Sequence, residues 1–415
     1  MDAISYNLAR RALEKPAPPY SAIVCKDGST VWAEDASGKT IASGESGVDD
    51  ASVIRSALDV GGDIILIGDY TIKSSIVVGS DVESIKGINC NITQQTTTLF
   101  QIQTSQYLSE TLLKPELANM TITQTAEGQE AIKITDSSGT LLRSIRIISS
   151  YANKGIVLEN KNYWTEHTKI SDCYIYMKGG TAIEFRNSGS SYKSFATTYI
   201  EHTHLTVGNG VGVKINSDCA VGRSRIIDSA VFTKDGVAIY IDGIANSSVF
   251  ELHHEASGTS DVSVKIGGNF ANTAPLVVYL NVAGNPTILD DPSNLTGGLV
   301  KIYMNPSAMN LGSWGYIAEV YDDSDRLADI IVSANKRIGI RHRGDRVFIW
   351  DLANDRDGVL WLGDLRASRS VTVVGQLNIP TSAPSNPTAG SMYFDPSTGT
   401  LYIYDGSTWK SVSLT

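Results

Sequence analysis

The sequence has few cysteines and no long apolar run. Four cysteines occur among 415 residues, and Cys25, Cys90, Cys173 and Cys219 lie far apart without a CxxC pair. This spacing excludes a zinc-finger pattern or a disulfide framework and predicts reduced thiols that fill space. The apolar runs are too short to span a bilayer, and residues 1–20 contain no apolar core of the signal-peptide type. We therefore expect a protein made in the cytoplasm, without membrane insertion and without a signal peptide.

Positive charge is also scarce. The chain has 34 Lys and Arg against 44 Asp and Glu, which gives a net charge of −10 at pH 7. This balance argues against a nucleic-acid duplex or an anionic membrane as a partner. Glycine is abundant instead, with 37 residues beside many Ser, Thr, Asn, Ile and Val. That composition favours an all-β chain rich in turns.

One stretch, "GVDDASVIRSALDVGGDIILIGDYTI" at residues 47–72, changes from a helix pattern to a strand pattern. Asp49 or Asp50 is placed to cap a helix start, and the apolar residues that follow share one helix face: Val53, Ile54, Ala57 and Leu58. Gly61-Gly62 ends this helix. The β-branched run after it predicts a strand buried on both faces.

The middle of the chain contains an internal repeat built from three apolar columns. Column 1 recurs every 24 to 30 residues, at Ile132, Ile156, Ile183, Val213, Ile239 and Val264. Column 2 advances in step, at Ile122, Ile147, Ile175, Leu205 and Val231. Column 3 follows at Leu142, Ile170, Ile200, Ile226 and Leu252. These segments alternate with a period of 2, which favours strands over helical repeats.

Several short strands in each repeat are typical of a parallel β-helix, in which every repeat forms one coil that stacks on the next. We therefore predict an all-β protein with a single-stranded parallel β-helix over residues 46–295. The first coil of such a fold exposes unpaired strand edges and apolar core. We expect the helix at 49–60 to cap that end.

The stretch at 47–72 resembles the entry to the pectate-lyase-like right-handed β-helix superfamily, in which a "D-D-T-x-A-I-x-x-A" helix precedes a "V-x-x-P-x-G-x-Y-x-I" strand. The matching residues are Asp49, Asp50, Ile54, Ala57, Ile64, Gly68, Tyr70 and Ile72, and no proline precedes Gly68. The resemblance covers about residues 45–290 and implies a right-handed β-helix, a fold that hosts lyases, hydrolases and binding proteins. Neither the calcium and arginine residues of pectate lyases nor the paired aspartates of polygalacturonases map onto this sequence.

Regions without the repeat flank the predicted β-helix. Residues 1–45 form an N-terminal head or leader, with a short helix at "SYNLARRALE" and hairpins after a Pro-rich break. From about residue 296 the period is lost, and alternating strands predict a C-terminal β domain over 296–378. A Pro/Ser/Thr-rich linker and a tip hairpin occupy residues 379–415.

The ending "GSMYFDPSTGTLYIYDGSTW" at 390–409 resembles the C-terminal tips of phage tail fibres and tailspikes. Combined with a β-helix, the resemblance implies a tailspike-like receptor-binding protein of a virion tail, which reaches the extracellular space after host lysis and recognises a cell-surface polysaccharide. Such spikes are usually homotrimers. We expect attachment to the virion tail or baseplate through the N-terminal region.

The intervals between columns locate the long loops on one side of the coil. From column 1 to column 2 they vary between 15 and 22 residues, whereas the return intervals stay between 8 and 10. The insertions at 161–168 and 188–202 carry rings on which sugars can stack. We predict substrate-binding residues here, namely Tyr163, Trp164, Tyr192, Tyr199 and Glu166. The alternative is that these rings cover core or a subunit interface.

Two positions after column 3, consecutive coils carry Ser144, Asp172, His202, Asp228 and His254. Asp172 and Asp228 are expected two strands, roughly 9.6 Å, apart, near the upper end of the ~6.5–9.5 Å separation used by inverting glycosidases. The candidate catalytic residues are therefore Asp172, His202, Asp228, His254 and Glu201. We expect no cofactor and no metal site.

A stack of polar side chains that satisfies backbone groups is the structural alternative, and it needs no chemistry. Three functions thus stay open at this point. The chain is a polysaccharide-recognising tailspike-like protein with or without depolymerase activity, a polysaccharide-degrading hydrolase or lyase using the Asp/His column, or a structural fibre or adhesin without catalysis.

Overall fold

A computed structural model gives the fold of the chain. It describes residues 20–104, 115–290 except 190, 192, 273, 275 and 285, and the ranges 300–304, 315–322, 325–332, 337–342, 345–351 and 379–413 except 380, 386 and 388. The predicted helix at "SYNLARRALE" lies outside the described residues. In the part of the chain that is described, no helix is both long enough and apolar enough to cross a membrane.

The described chain begins with three antiparallel strands and a helix. The strands are β1 (Ala22–Asp27), β2 (Thr30–Asp35) and β3 (Thr40–Glu45), and the helix is α1 (Asp50–Leu58). Strand β1 also pairs in parallel with the first strand of the next region, so the hairpins join the repeat region directly. The predicted apolar face of α1 is confirmed, because Val53, Ile54, Ala57 and Leu58 are all buried.

The repeat region is a parallel β-solenoid, as predicted. Its strands are β4 (Gly62–Ile72), β5 (Ile76–Val78), β6 (Val82–Gln94), β7 (Thr98–Ile102), β8 (Glu116–Gln124), β9 (Glu130–Thr135), β10 (Leu141–Asn160), β11 (Lys169–Ser171), β12 (Tyr174–Asn187), β13 (Tyr199–Glu201), β14 (His204–Val207), β15 (Val211–Ile215), β16 (Arg225–Thr233), β17 (Val237–Ile241), β18 (Val249–Ala256), β19 (Val262–Ile266), β20 (Leu276–Ala283), β21 (Thr287–Asp290) and β22 (Val300–Met304). Strands β1 to β22 belong to one hydrogen-bonded sheet.

The pairing register confirms columns 1 and 2 in full. Ile132, Ile156 and Ile183 are successive partners, and the series continues through Val213 and Ile239. Column 2 pairs in the same way from β8 to β16. These side chains point inward and are buried, so each coil contributes one apolar layer to a continuous core. We call the outer surfaces of the three strand stacks the column-1, column-2 and column-3 faces.

Column 3 is correct up to Ile226 and wrong at Leu252. The partner of Ile226 is Phe250, and Leu252 lies opposite Ser229 because the register shifts between Ile226 and Ser229. Strand β18 turns this corner with fewer residues than β16. The shift moves every later residue of β18 out of the alignment that the sequence suggests.

Asp50 connects the cap to the solenoid. Its buried carboxylate accepts hydrogen bonds from the backbone N–H groups of Gly47 at 2.8 Å and Thr71 at 2.6 Å, and it pairs with Lys26 Nζ at 2.8 Å. Thr71 belongs to β4 and Lys26 to β1. The helix start itself has no side-chain cap, since the Asp49 carboxylate accepts from the N–H of Glu45 instead. Asp50 thus does not cap the helix as predicted. Its carboxylate links α1 to β1 and β4.

The prediction of free thiols is confirmed. None of the four cysteines, all of which lie in the described residues, forms a disulfide, and Cys90, Cys173 and Cys219 are buried. Burial raises the pKa of each of these three thiols to about 12. They are therefore protonated, inert parts of the core.

The C-terminal region contains two further antiparallel sheets. One is formed by β23 (Gly315–Asp322), β24 (Asp325–Val332), β25 (Arg337–His342) and β26 (Asp345–Asp351). The other is formed by β27 (Met392–Asp395), β28 (Thr400–Tyr404) and β29 (Trp409–Ser413), one strand more than the predicted tip hairpin. The chain divides into two compact units, residues 1–363 and 364–415. Residues 352–378 of the predicted C-terminal β domain lie outside the described residues.

Candidate functional site

The corner between the column-3 and column-2 faces is lined by residues with left-handed backbone. They are Asn89, Asn119, Ser144, Asp172, His202 and Asp228, with φ between 46° and 59°, and we call them the αL ladder. Asn, Asp and His are the non-glycine residues enriched in this region of φ/ψ space. The backbone therefore accounts for the residue types of the ladder without any catalytic role.

The structure brings Asp172, His202 and Asp228 together on consecutive coils. His202 Nδ1 lies 3.9 Å from Asp172 Oδ1, and His202 Nε2 lies 3.6 Å from Asp228 Oδ2. These distances are too long for hydrogen bonds, and more than half of each side chain is exposed to solvent. The arrangement places one imidazole between two carboxylates at an open edge, where proton transfer to a bound ligand is geometrically possible.

His254 is not on the αL ladder. The register shift in β18 places it opposite Val231, with its side chain in the core and fully buried. Its two ring nitrogens lie 2.8 Å from the hydroxyls of Thr233 and Ser263. A neutral imidazole satisfies both contacts by donating one hydrogen bond and accepting the other. His254 thus links the column-2 and column-1 strands inside the solenoid.

The buried position of His254 predicts acid sensitivity. Burial lowers its pKa from 6.5 to about 4, against an opposing effect of Asp261. Since the unfolded chain binds a proton that the folded chain excludes, the stability contributed by the neutral ring is complete above pH 6.5. It falls by about 3 kcal/mol as the pH drops to 4.

Urea unfolding of the wild type and His254→Gln across pH 4–7.5 measures this loss. The wild type should lose about 3 kcal/mol more than the variant between pH 7 and pH 4. Parallel pH profiles for the two proteins would contradict the assignment.

Glu201 and Tyr199 lie on β13, just before the ladder. Glu201 is partly buried and forms an ion pair with Lys169 at 2.7 Å. Tyr199 occupies an outward position between Lys169 and Arg225 on neighbouring strands. Both residues therefore belong to the column-3 face rather than to the ladder.

The predicted binding loop at 161–168 lies at the opposite end of the column-3 strands. Tyr163 and Trp164 are 55% and 40% exposed. The buried carboxylate of Asp136 accepts hydrogen bonds from the N–H groups of residues 161–163 and holds the loop in place. Glu166 is bonded by the hydroxyl of Ser194, and Tyr192 lies outside the described residues. Strand β11 separates this loop from Asp172, so the structure does not unite the aromatic loop with the ladder.

A row of rings crosses the column-2 face beside the ladder. Successive ring centroids are 6.0 Å apart for Tyr174 and His204, 4.8 Å for His204 and Phe232, and 6.4 Å for Phe232 and His253. We call these four residues the ring strip. Ala230 pairs between His204 and His253, and the Phe232 ring contacts the rings of both histidines. The strip follows the solenoid axis over four consecutive coils, roughly 14 Å from first to last strand.

Two open grooves border the ring strip. The groove on the ladder side has a volume of about 680 Å³ and is lined by His202, His204, Asp228, Glu251, His253 and Tyr279. The groove on the other side has a volume of about 440 Å³ and is lined by residues that include Tyr176, Lys178, Thr206, Asn209, Phe232 and Lys234. The strip and its grooves form the candidate functional site.

The ring strip is the part of the site that the sequence analysis did not find. Its residues occupy outward positions of the column-2 strands, where alternation favours polar side chains. Tyr174, Tyr176 and Phe232 are aromatic residues at such outward positions. This departure from the alternation is the sequence signal that indicates the strip. Among the described residues, no three His, Cys, Asp or Glu side chains converge in a way that holds a metal ion.

Comparisons with known proteins match the chain only in solved structures. No family model and no curated protein matches it. ORF18 of Geobacillus virus E2 is 11% identical with a TM-score of 0.40, over 98% of each chain. PfbA, a surface adhesin of Streptococcus pneumoniae, is 10% identical with a TM-score of 0.33, over 72% of this chain and 97% of the adhesin. Tailspike protein 3 of bacteriophage CBA120 is 13% identical with a TM-score of 0.28, over 100% of this chain and 77% of the tailspike.

The pectate-lyase-like resemblance stays a prediction, because no family match tests it. The repeat region itself is a parallel β-solenoid by its own strand pairing.

Proposed function

We propose that the protein binds a cell-surface polysaccharide on the column-2 face, as a tailspike-like receptor-binding protein. The observation that carries this proposal is the ring strip, four rings in a row on an outward sheet face with polar grooves on both sides. Sugar rings present apolar C–H faces and hydroxyl edges. A ligand site for them needs flat apolar surfaces for stacking and nearby polar groups for hydrogen bonds.

The strip is suited to a long polymer rather than a small molecule. Its grooves are open and extend along the solenoid axis, whereas small-molecule sites enclose most of the ligand surface. The strands beneath it are fixed by pairing on both sides, so the rings are held in place before a ligand arrives. Such preorganisation reduces the entropy lost on binding.

A polysaccharide array tests this proposal. The full-length protein should bind bacterial capsular polysaccharides or lipopolysaccharide O-chains, and free polymer should compete with the immobilised form. Failure to bind any polymer on an array that spans both classes would refute it.

A second candidate function is hydrolysis of the bound polymer. The carboxylates of Asp172 and Asp228 flank His202 at the edge of the groove that contains Asp228 and the strip histidines. A carboxyl pair two coils apart, roughly 9.6 Å, is close to the spacing that admits an attacking water in inverting glycosidases. The ladder lies beside the strip, so a polymer stacked there passes within reach of these groups.

If the protein cleaves its ligand, Asp228→Asn should lower turnover by about 100-fold or more, because the amide cannot exchange a proton as a carboxyl group does. Release of new reducing ends measures a hydrolase, and a rise in ultraviolet absorbance measures a lyase. The matched control is Asp59→Asn, an exposed aspartate at the end of α1 that lies outside the ladder and outside both grooves. Equal turnover of Asp228→Asn and the wild type would show that the αL ladder has no catalytic role.

The proposal includes assembly as a homotrimer on a virion tail or baseplate, attached through the N-terminal region. The likeness of residues 390–409 to tail-fibre tips supports it. Light scattering should give three times the mass of the chain, and a stable monomer would count against a spike. A structural fibre or adhesin without catalysis, with the aromatic loops buried between chains, is the remaining possibility; binding without new reducing ends points instead to a receptor-binding protein.

A further inference from the structure

The two edges of the ring strip differ in charge, because lysines line only one of the two grooves. The ladder edge holds Asp172 and Asp228, and Glu251 extends it into the adjacent groove. The other edge holds Lys178 and Lys234, which line the second groove together with Tyr176 and Phe232. Asp235 also lines this second groove, and Glu255 lies opposite Phe232 on β18. A polymer that lies on the rings therefore meets ammonium groups on one side only, whereas the ladder side offers carboxylates and no lysine among the lining residues.

The two lysines occupy equivalent positions on alternate coils. The N–H of Gly208 bonds the carbonyl oxygen of Met177, and the N–H of Lys234 bonds the carbonyl oxygen of Gly208. Gly208 thus lies on the coil between those of Lys178 and Lys234, which places the lysines two strands, roughly 9.6 Å, apart. A Cβ at Gly208 would overlap the backbone of Lys178, so this position stays open between them.

Lys178 and Lys234 lie on the same two coils as Asp172 and Asp228. Asp172 and Lys178 flank the β12 segment of the strip, and Asp228 and Lys234 flank the β16 segment. Both lysines are exposed, and neither forms an ion pair within the described residues. Asp235 lies next to Lys234, but its Oδ1 accepts hydrogen bonds from the N–H groups of Thr259 and Ser260.

We infer that the polysaccharide is acidic and lies on the ring strip with its anionic groups toward Lys178 and Lys234. This inference rests on the proposed function and adds the ligand class and the orientation. Ammonium groups form ion pairs with carboxylates and phosphates, in which donor and acceptor are both charged, and a neutral sugar offers no charged acceptor. The opposite orientation would place the anions against Asp172, Asp228 and Glu251, where like charges repel.

Arg146 adds a positive group at the N-terminal end of the strip. Its guanidinium lies 5.3 Å from the ring centroid of Tyr174. Beyond it, an open groove of about 360 Å³ is lined by amide and hydroxyl groups, including those of Asn89, Asn91, Asn119 and Thr121. No acidic side chain lines that groove among its described residues. An acidic polymer can thus extend from Arg146 across the strands of Thr121 and Asn91 before it reaches the carboxylate of Asp69.

The test uses an array that contains both acidic and neutral bacterial polysaccharides. The wild type should bind acidic polymers, and carboxyl reduction of a bound uronate polymer should weaken binding. Lys178→Gln/Lys234→Gln should lower affinity for the acidic polymer about tenfold or more in low salt, with a smaller effect in high salt. The same variant should bind the carboxyl-reduced polymer as the wild type does.

The matched control, Lys39→Gln/Lys73→Gln, removes the same charge from exposed positions far from the strip along the chain and should leave affinity unchanged. Binding restricted to neutral polymers, or equal affinities of wild type and Lys178→Gln/Lys234→Gln for the acidic one, would overturn this inference and leave the proposed function intact. Absence of binding to every polymer would refute both.

Discussion

The double replacement Tyr174→Ala/Phe232→Ala is expected to weaken polysaccharide binding about 100-fold, because each ring supplies stacking area worth ~1–2 kcal/mol in a desolvated contact. Phe232 also positions its neighbours, since its ring contacts both His204 and His253. Isothermal titration or biolayer interferometry with a polymer from the array measures the change.

Two control variants make this result specific. Tyr240→Ala removes a half-buried ring from the column-1 face and should leave affinity unchanged. Tyr163→Ala/Trp164→Ala removes the rings of the loop at 161–168, which the sequence analysis favours as a binding surface. If the loop variant loses affinity and the strip variant keeps it, the binding surface is the loop.

Asp50→Ala is expected to lower the free energy of unfolding by about 3–5 kcal/mol, because it leaves buried donors without their acceptor. The carboxylate joins α1 to β1 through Lys26 and to β4 through the N–H of Thr71. Loss of this link should also loosen the cap. Hydrogen exchange should then increase in β4, the first strand of the solenoid.

Asp59→Ala is the matched control for Asp50. Asp59 is exposed at the C-terminal end of α1, so its removal should change stability by no more than about 0.5 kcal/mol. Urea unfolding compares the two variants. Equal stability of Asp50→Ala and the wild type would show that the cap does not depend on this carboxylate.

The solenoid could be predicted from the sequence because the apolar columns indicate which residues of neighbouring strands pair. Ile132, Ile156 and Ile183 are inward residues of equivalent strands, and the structure pairs them as the repeat requires. The apolar face of α1 was readable for a similar reason, since helical spacing fixes which residues share a face. Periodic features of this kind can be recognised in the sequence without knowledge of any contact.

The corner after β16 could not be predicted in the same way. Both Phe250 and Leu252 are apolar and lie at plausible distances from Ile226, so the sequence does not decide which one is its partner. In the structure, Phe250 is the partner of Ile226. This register places His254 in the core, and the ladder ends at Asp228. One residue more or less in a turn is enough to exchange a proposed catalytic residue for a core residue.

The ring strip could not be predicted from the column spacing for a different reason. Tyr174 and His204 are direct partners across strands, but Phe232 contacts His204 and His253 diagonally, since Ala230 is the direct partner of both histidines. Such diagonal contacts depend on side-chain direction and on a small neighbour. Column spacing carries no information on either.

Hydroxyl-radical footprinting of the full-length protein, with and without a bound polysaccharide, tests most directly where the ligand lies. We predict protection of Tyr174, His204, Phe232 and His253, with Tyr163 and Trp164 labelled to the same extent in both states. Protection confined to Tyr163 and Trp164, with unchanged labelling of the four strip residues, would contradict the account.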